Sequence, residues 1–117
     1  MKNLIGETAH LLYTVYCILY SYSHSMKPTI TIEYCPKCGW LLRAAYMAQE
    51  LLTTFRDDLR SVTLQPSETG GAFFISINDE LVFDRHASGG FPEIKIIKQL
   101  VRDKVNPGKS LGHADRK

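Results

Sequence analysis

Two cysteines separated by two residues, Cys35 and Cys38, are the side chains of this sequence best suited to chemistry. They follow an alternating stretch from Thr29 to Tyr34 and precede a run with helical spacing, so they stand where a predicted strand gives way to a predicted helix. Free amide groups and the positive dipole end of a helix N-terminus favour a thiolate over a thiol. This setting, with Lys37 as a nearby cation, predicts a redox-active dithiol.

The roles of the two sulfurs are exchangeable at this stage. A free thiol with a pKa near 8.5 is mostly protonated at neutral pH, so exchange requires that pKa to fall by about one unit or more. We expect Cys35 to be the more exposed sulfur and to attack, and Cys38 to be partly covered by the helix and to resolve a mixed disulfide. Pro36 and Lys37 support the motif, and Trp40 either shelters the dithiol from water or packs as a core aromatic.

Zinc is the main chemical alternative, because Cys-Pro-x-Cys-Gly is also the knuckle of zinc ribbons. A structural zinc ion takes four ligands, normally from a second cysteine or histidine pair. The chain has no second pair, and Cys17, His86 and His113 lack the required spacing. We therefore expect no metal. Inert packing thiols, common for single buried cysteines, do not fit a pair that flanks Pro-Lys.

The composition bounds the class of protein. The 117 residues allow one hydrophobic core but not two comfortable domains. Three cysteines do not form a disulfide framework of the secreted type, so a reducing cytosol is the expected location. A net charge of +2 gives no reason to expect nucleic acid as a partner.

The chain divides into three parts by composition. Residues 10–20 are apolar and aromatic, but the run is shorter than the roughly twenty residues of a membrane span. A signal peptide would need a small-residue cleavage site, which is missing. We expect residues 1–25 to be an appended extension outside the core, residues 26–106 to form one domain, and residues 107–117 to form a flexible basic tail.

Within the domain the local patterns predict strand, helix, strand, hairpin and helix. Strands are predicted at residues 29–34, 61–65, 72–77 and 80–85, the last two joined by a turn at Asn78 and Asp79. The first helix follows the cysteines, with a predicted buried stripe of Leu41, Ala45, Ala48, Leu52 and Phe55. The second begins near Pro92 and ends at Asn106, with a stripe of Ile94, Ile97, Val101 and Val105.

This order of elements is typical of a compact thioredoxin-like α/β protein, a β-α-β-β-β-α sandwich with a mixed four-stranded sheet. The first two strands are joined through a helix and are therefore expected to run parallel, whereas the hairpin strands run antiparallel. The cysteines then lie at the carboxyl end of the first strand, where open α/β sheets place their sites.

Several motifs together resemble a known family. A strand ends in Tyr34-Cys35-x-x-Cys38, residues 69–74 (TGGAFF) turn into the hairpin, and residues 84–86 (DRH) run into residues 89–92 (GGFP). Over residues 26–106 these features resemble the Rdx family of selenoproteins W, T and H. The resemblance implies a thioredoxin-like fold, thiol oxidoreductase or antioxidant behaviour in cell redox homeostasis, and glutathione as reductant or mixed-disulfide partner, with no other cofactor.

Two departures bear on the site. Selenocysteine-containing members carry selenium where this chain has Cys38, so the resemblance favours Cys38 as the attacking residue, here a weaker nucleophile. Thioredoxins place a cis-proline where this chain has Gly70 and Gly71, so thioredoxin-style clamping of a substrate is not expected. We expect these glycines to face the cysteines and either to let a substrate backbone approach or simply to form the turn. The resemblance also implies an apolar docking surface at Phe91 and Pro92.

Two functions follow from these patterns. The first is a thiol–disulfide oxidoreductase that acts on protein or low-molecular-weight thiols. The alternative is a redox-sensing interaction module without turnover, in which oxidation of the cysteines changes a partner-binding surface around Trp40 and Phe91. Turnover of a disulfide substrate separates the two. The sequence predicts neither the substrate, nor the electron donor, nor the oligomeric state.

Overall fold

The order of the strands and the two long helices in the computed structural model, which describes residues 10–18 and 27–115, follows the predicted one. The elements of residues 27–115 are β1 (Thr29–Tyr34), α1 (Leu41–Thr54), β2 (Ser61–Pro66), β3 (Phe73–Ile77), β4 (Glu80–Asp84), α2 (Arg85–Ser88) and α3 (Ile94–Val105). A short 3₁₀ helix, Gly112–Asp115, follows α3.

The four strands form one mixed sheet in the order β2-β1-β3-β4. β1 runs parallel to β2, with Ile30 opposite Val62, and antiparallel to β3, with Ile32 opposite Ile75. β3 and β4 form the antiparallel hairpin. The predicted mixed four-stranded sheet is therefore confirmed, and β1 lies in its interior with the cysteine motif at its carboxyl end.

Alternation along the two central strands explains why they pair in this register. Ile30, Ile32 and Tyr34 of β1 are buried, and the residues between them are only partly covered. β3 has the same pattern. The hairpin turn is the predicted one, because Asn78 and Asp79 adopt φ angles of 48° and 69°, a left-handed conformation that these two residue types tolerate.

Both long helices cover the same face of this sheet. Ala44 and Leu51 of α1 and Ile97 and Val101 of α3 join the buried cluster formed by alternate residues of the strands. The strand residues that alternate with the buried ones, such as Thr31, lie on the opposite face of the sheet and are partly exposed. No helix of residues 27–115 packs on that face. The domain is thus a two-layer structure with one hydrophobic core.

The predicted buried stripe of α1 is confirmed at Ala48 but is wrong at Leu41 and Leu52, and Ala45 is only half-buried. Leu41 and Leu52 are 48% and 43% exposed, and the buried residues of the helix are Ala44, Met47, Ala48 and Leu51. Apolar residues lie on both faces of this helix, so spacing alone does not decide which face is buried. Phe55, just beyond the helix, is buried as predicted.

The end of the hairpin differs from the prediction. β4 stops at Asp84, and Arg85–Ser88 form the short helix α2, which the sequence reading did not predict. The Asp84 side chain accepts a hydrogen bond from the backbone N–H of His86, and Gly89 ends the helix in the left-handed conformation. α3 then begins at Ile94, two residues after Pro92.

Residues 107–115 return along α3 and make defined contacts. Lys109 forms an ion pair with Asp58 at 3.1 Å, and Arg102 of α3 forms one with Asp115 at 2.6 Å. The Gln99 side chain donates a hydrogen bond to the Ala114 carbonyl oxygen. The predicted basic tail is therefore packed on the domain over this range, while its flexibility stays a prediction. Residues 116–117 lie outside the described residues.

Residues 10–18 are helical, and their apolar side chains Leu11, Leu12, Tyr13, Val15, Tyr16 and Ile18 are 51–67% exposed. Across the described residues, no helix combines the length and apolar character that a bilayer crossing requires. The rest of the predicted extension, residues 1–9 and 19–25, lies outside the described residues. That residues 1–25 are an appended segment stays a prediction.

Candidate redox-active site

Cys35 and Cys38 lie together at the carboxyl end of β1. Their Cα atoms are 5.4 Å apart, and the sulfurs are at disulfide-bonding distance. A Cα separation in this range allows two cysteines to form a bridge without backbone movement. The cysteine pair required for dithiol chemistry is therefore brought together by the fold.

The motif forms a turn that precedes the helix. The backbone N–H of Gly39 donates to the Pro36 carbonyl oxygen at 3.1 Å, and α1 begins only at Leu41 after its N-cap residue Trp40. The expectation that the helix partly covers Cys38 is therefore wrong, because Cys38 lies on the turn before the helix. The N-terminus of α1 has no side-chain cap and no acidic residue in its first turn, so its positive end is uncompensated next to the motif.

The exposure of the two sulfur-bearing residues is the reverse of the sequence prediction. Cys35 is 2% exposed, and its backbone N–H donates to the Ala72 carbonyl oxygen at 2.8 Å. Cys38 is exposed. The physical reason is that β1 remains paired with the chain leading into β3 up to Cys35, whereas Cys38 stands on the turn that leaves the sheet. The assignment of attacking and resolving roles stays a prediction.

A cavity of about 410 Å³ opens beside Cys35 and is bounded by the loop after β2; it is lined by Cys35, Pro36, Lys37, Ser67, Glu68, Thr69 and Gly70. Hydrogen bonds fix this loop. The Ser67 hydroxyl donates to Glu33 Oε2 at 2.6 Å, and the Ser67 backbone N–H donates to the Tyr34 carbonyl oxygen at 2.7 Å. Lys37 is exposed and has no ion-pair partner in the described part of the chain. The cavity is large enough for part of a substrate next to the buried sulfur.

Three aromatic rings pack edge to face on the other side of the motif. The Trp40 and Phe91 centroids are 4.9 Å apart, the Phe73 and Phe91 centroids 5.0 Å, and the Trp40 and Phe73 centroids 6.3 Å. Phe73 is fully buried, whereas Trp40 and Phe91 are half-buried. The cluster extends the core to the surface two residues beyond Cys38. Trp40 is thus both a partner of the core and a neighbour of the dithiol turn.

Arg85 contacts this aromatic cluster and the glycine loop at once, and sequence reasoning did not single it out as a site residue. Its guanidinium lies 4.6 Å from the Trp40 ring centroid and donates from Nη2 to the Gly71 carbonyl oxygen at 3.2 Å. α2 positions the residue directly after β4. The signal that could have found this helix is the pair of cap residues, Asp84 before it and Gly89 after it.

The two glycines and the predicted docking residues occupy different parts of the site. Gly70 lines the cavity beside Cys35, and Gly71 adopts a φ of +77°, which requires glycine's conformational freedom. No cis peptide bond occurs within the described ranges, so the position of the thioredoxin cis-proline is taken by this trans loop. Phe91 joins the aromatic cluster, while Pro92 lies next to it before α3. Docking at Phe91 and Pro92 stays a prediction.

Metal ligands are not grouped in the parts of the chain described. In residues 10–18 and 27–115, no three side chains of the His, Cys, Asp or Glu type are close enough together to hold a metal ion. Cys17, His86 and His113 therefore do not complete a zinc site with the cysteine pair in this structure. The absence of such a group gives no support to the zinc alternative.

The sheet, the two helices on one face and a cysteine pair at the end of the first strand define a thioredoxin-like α/β protein. The sequence model of the Rdx family matches residues 29–103, and the chain belongs to the Rdx family. Curated relatives include Migration and invasion enhancer 1 of Mus musculus and of Bos taurus, each 35% identical over 78 residues. These matches cover 66% of this chain and 64% of each relative, so the chain spans slightly less than two thirds of their length.

Two crystal structures of bacterial proteins are similar to this chain. One is a protein of Bordetella parapertussis, 56% identical with a TM-score of 0.65. The other is a selenoprotein W-related protein of Vibrio cholerae, 46% identical with a TM-score of 0.66. Each match covers 68% of this chain and 99% of the solved chain. Family membership and the cysteine pair at bonding distance together support a redox-related role.

Proposed function

We propose that this protein is a thiol–disulfide oxidoreductase in which Cys35 and Cys38 cycle between dithiol and disulfide. The observation that carries the proposal is the geometry of the pair: the two sulfurs are at bonding distance, with one residue buried on the sheet and the other exposed on a turn. A structural disulfide would not need one half to face solvent. An exchange reaction does, because a substrate sulfur must reach the attacking sulfur in line.

The exposure of the two residues favours Cys38 as the sulfur that meets the substrate. In the reduced protein, the Cys38 thiolate attacks a substrate disulfide R–S–S–R′, a Cys38–S–S–R bond forms, and R′–S⁻ leaves and takes up a proton. Cys35 then loses its proton and attacks the Cys38 sulfur, so that the Cys35–Cys38 bond forms and R–S⁻ leaves. The substrate gains two electrons and the protein loses two.

The electrostatic surroundings are suited to the anionic form of Cys38. The positive end of α1 points toward the turn and has no acidic residue in its first turn. Lys37 stands next to Cys38 in sequence and has no ion-pair partner among the residues described. Both features favour the thiolate, which is the nucleophile in exchange.

Regeneration of the dithiol requires a reductant of the low-molecular-weight thiol class. Two molecules of glutathione supply two electrons and two protons and leave as glutathione disulfide, with a Cys38–glutathione mixed disulfide as the intermediate. A reducing compartment such as the cytosol maintains this supply. No organic cofactor is needed for these steps.

Turnover is tested with a small disulfide substrate and glutathione, coupled to glutathione reductase and followed by consumption of NADPH. Cys38→Ser is expected to abolish turnover. In Cys35→Ser treated with the disulfide substrate without glutathione, a mixed disulfide is expected to accumulate and to appear as added mass on Cys38. Cys17→Ser is the matched control, since Cys17 lies on the helical segment of residues 10–18 and not in the site. Absence of turnover by the unchanged protein contradicts the proposal.

The second candidate function, a redox-sensing interaction module, is favoured by one observation. The half-buried pair of Trp40 and Phe91 starts two residues after Cys38, so a change at the disulfide is adjacent to an aromatic surface. Under this alternative the protein shows no turnover, and its affinity for a partner protein changes between the oxidised and reduced states. Partner affinity that is equal in both states contradicts it.

A further inference from the structure

Arg85 joins two loops that flank the cysteine pair. Its Nη2 donates to the Gly71 carbonyl oxygen at 3.2 Å, on the loop that precedes Ala72. Its guanidinium also stacks 4.6 Å from the centroid of Trp40, which follows the dithiol turn, and 5.6 Å from that of Phe91. Arg85 thus contacts Trp40, two residues after Cys38, and also Gly71, the residue before Ala72.

The Gly71 loop is itself tied to the buried cysteine. Ala72 follows Gly71 directly, and its carbonyl oxygen accepts the hydrogen bond from the Cys35 backbone N–H. The contacts of Arg85 therefore complete a ring of interactions that runs from Cys35 through Ala72 and Arg85 to Trp40 and back along the turn to Cys38. A connection of this kind limits how far the two sulfurs can separate when the bond between them is reduced.

The guanidinium is held in this place although one of its donors is unsatisfied. Arg85 Nε is buried and has no hydrogen-bond partner within residues 10–18 and 27–115, and no carboxylate of these ranges forms an ion pair with the side chain. A buried donor without a partner destabilises a fold, so such a group calls for a functional explanation. A surface arginine that only contributed solubility would not be placed between two aromatic rings and a backbone carbonyl.

We propose that Arg85 is a positioning residue for the Cys35–Cys38 pair, acting by pinning the Trp40 end of the dithiol turn to the Gly71–Ala72 loop. In the reduced protein this contact keeps the turn ordered, so less conformational entropy is lost when the disulfide forms. The inference rests on the pair being redox-active, as in the proposed function. It concerns the equilibrium of bond formation and not the rate of turnover.

The test measures the effective concentration of the two thiols. The reduced protein is equilibrated with glutathione disulfide: the protein disulfide forms, two electrons pass to the glutathione disulfide, and two glutathione thiols take up the protons. Alkylation of remaining thiols and mass measurement give the equilibrium constant. All variants carry Cys17→Ser, so that the third cysteine does not take part. Arg85→Met is expected to lower this constant about tenfold, the scale of a lost cation–aromatic contact together with a charged hydrogen bond.

Arg43→Met is the matched control. Arg43 also stacks on an aromatic ring, 4.0 Å from the Phe91 centroid, but it makes no hydrogen bond to the glycine loop. We expect its equilibrium constant to equal that of the parent. An unchanged constant in Arg85→Met overturns the inference, and so does an equal fall in both variants, because that would reflect general loosening of the aromatic cluster.

Folding of each reduced variant is checked by circular dichroism. If Arg85→Met does not fold, Arg85→Lys is measured instead. Lysine keeps the charge but lacks the planar guanidinium, so its equilibrium constant is expected to be lower than that of the parent by less than tenfold. A constant equal to the parent's in a folded Arg85→Lys overturns the inference. If the equilibrium constant for disulfide formation falls in Arg85→Met while the parent protein shows no turnover, the inference is retained and the oxidoreductase function is rejected.

Discussion

The backbone N–H of Cys35 donates a hydrogen bond of 2.8 Å to the carbonyl oxygen of Ala72. Pairing between β1 and β3, which places Tyr34 opposite Phe73, therefore continues one residue into the cysteine motif. One cysteine is fixed on the sheet and the other stands on a turn. The two sulfurs thus differ in access to solvent and in the rigidity of their backbone.

This difference predicts unequal reactivity of the two thiols. In the reduced Cys17→Ser protein, iodoacetamide is expected to label Cys38 faster than Cys35 by on the order of tenfold, because access of the reagent limits the rate at a buried thiol. Peptide mass mapping after short reaction times measures both rates. Faster labelling of Cys35, or equal rates, would contradict the proposal that Cys38 is the sulfur that attacks the substrate.

The neighbouring phenylalanines of β3 provide a test of the one-sided core. Phe73 is fully buried against Trp40 and Phe91, whereas Phe74 is half-buried on the opposite face of the sheet. Phe73→Ala is expected to lower the free energy of unfolding by about 3–5 kcal/mol, the range for truncating a buried aromatic. Phe74→Ala should cost clearly less. Urea unfolding measures both, and equal losses would contradict a core on one face only.

The carboxylate of Asp58 is expected to make the free energy of unfolding depend on pH. Its ion pair with Lys109 at 3.1 Å, and then the hydrogen bond that it accepts from Asn106, hold the pKa of this carboxyl below its ordinary value of 3.8. Because the pKa is lower in the folded state than in the unfolded state, the stabilisation is complete above that ordinary value and is lost as the pH falls through the folded-state pKa.

Asp58→Asn is therefore expected to lower the free energy of unfolding by about 1 kcal/mol at neutral pH. The difference from the unchanged protein should shrink as the pH falls below 4. Urea unfolding over this pH range provides the measurement. Asp57→Asn is the matched control, since the Asp57 carboxylate and its Arg56 partner are more than four-fifths exposed. A difference that stays constant with pH would argue against the Asp58–Lys109 pair.

The hairpin turn gives a fourth prediction. Asp79 has a φ of 69°, a conformation that glycine adopts without strain and that a β-branched residue disfavours. Asp79→Val is expected to destabilise the protein by about 1–2 kcal/mol, whereas Asp79→Gly should be neutral or slightly stabilising. Thermal unfolding of the two variants gives the comparison. If valine is tolerated as well as glycine, the turn is not of the described type.

The sheet was predictable from sequence because its signals are local. β-branched and aromatic residues alternate along Thr29–Tyr34, and Asn78 and Asp79 mark the hairpin. The mixed sheet followed, since a helix between two strands allows them to run parallel. Where the core lies on α1 could not be decided in this way, because Leu41, Leu52 and Leu51 offer apolar side chains on different faces.

The site was predictable in its chemistry but not in its three-dimensional detail. The Cys35 and Cys38 spacing identified the pair, yet exposure depends on the contact with Ala72, which is distant in sequence. Arg85 was missed for a similar reason: its contacts with Trp40 and Gly71 exist only once the hairpin has folded back. Non-local contacts of this kind leave no periodic pattern in a single sequence.

Trp40 is the single tryptophan of the chain and lies two residues after Cys38, so the fluorescence of the protein reports on the surroundings of the cysteine pair. A nearby disulfide quenches indole emission by accepting an electron from the excited ring. Opening the bond should therefore brighten the natural fluorescence of the unlabelled molecule. Its oxidation state could then be followed optically, in real time, without attaching any dye.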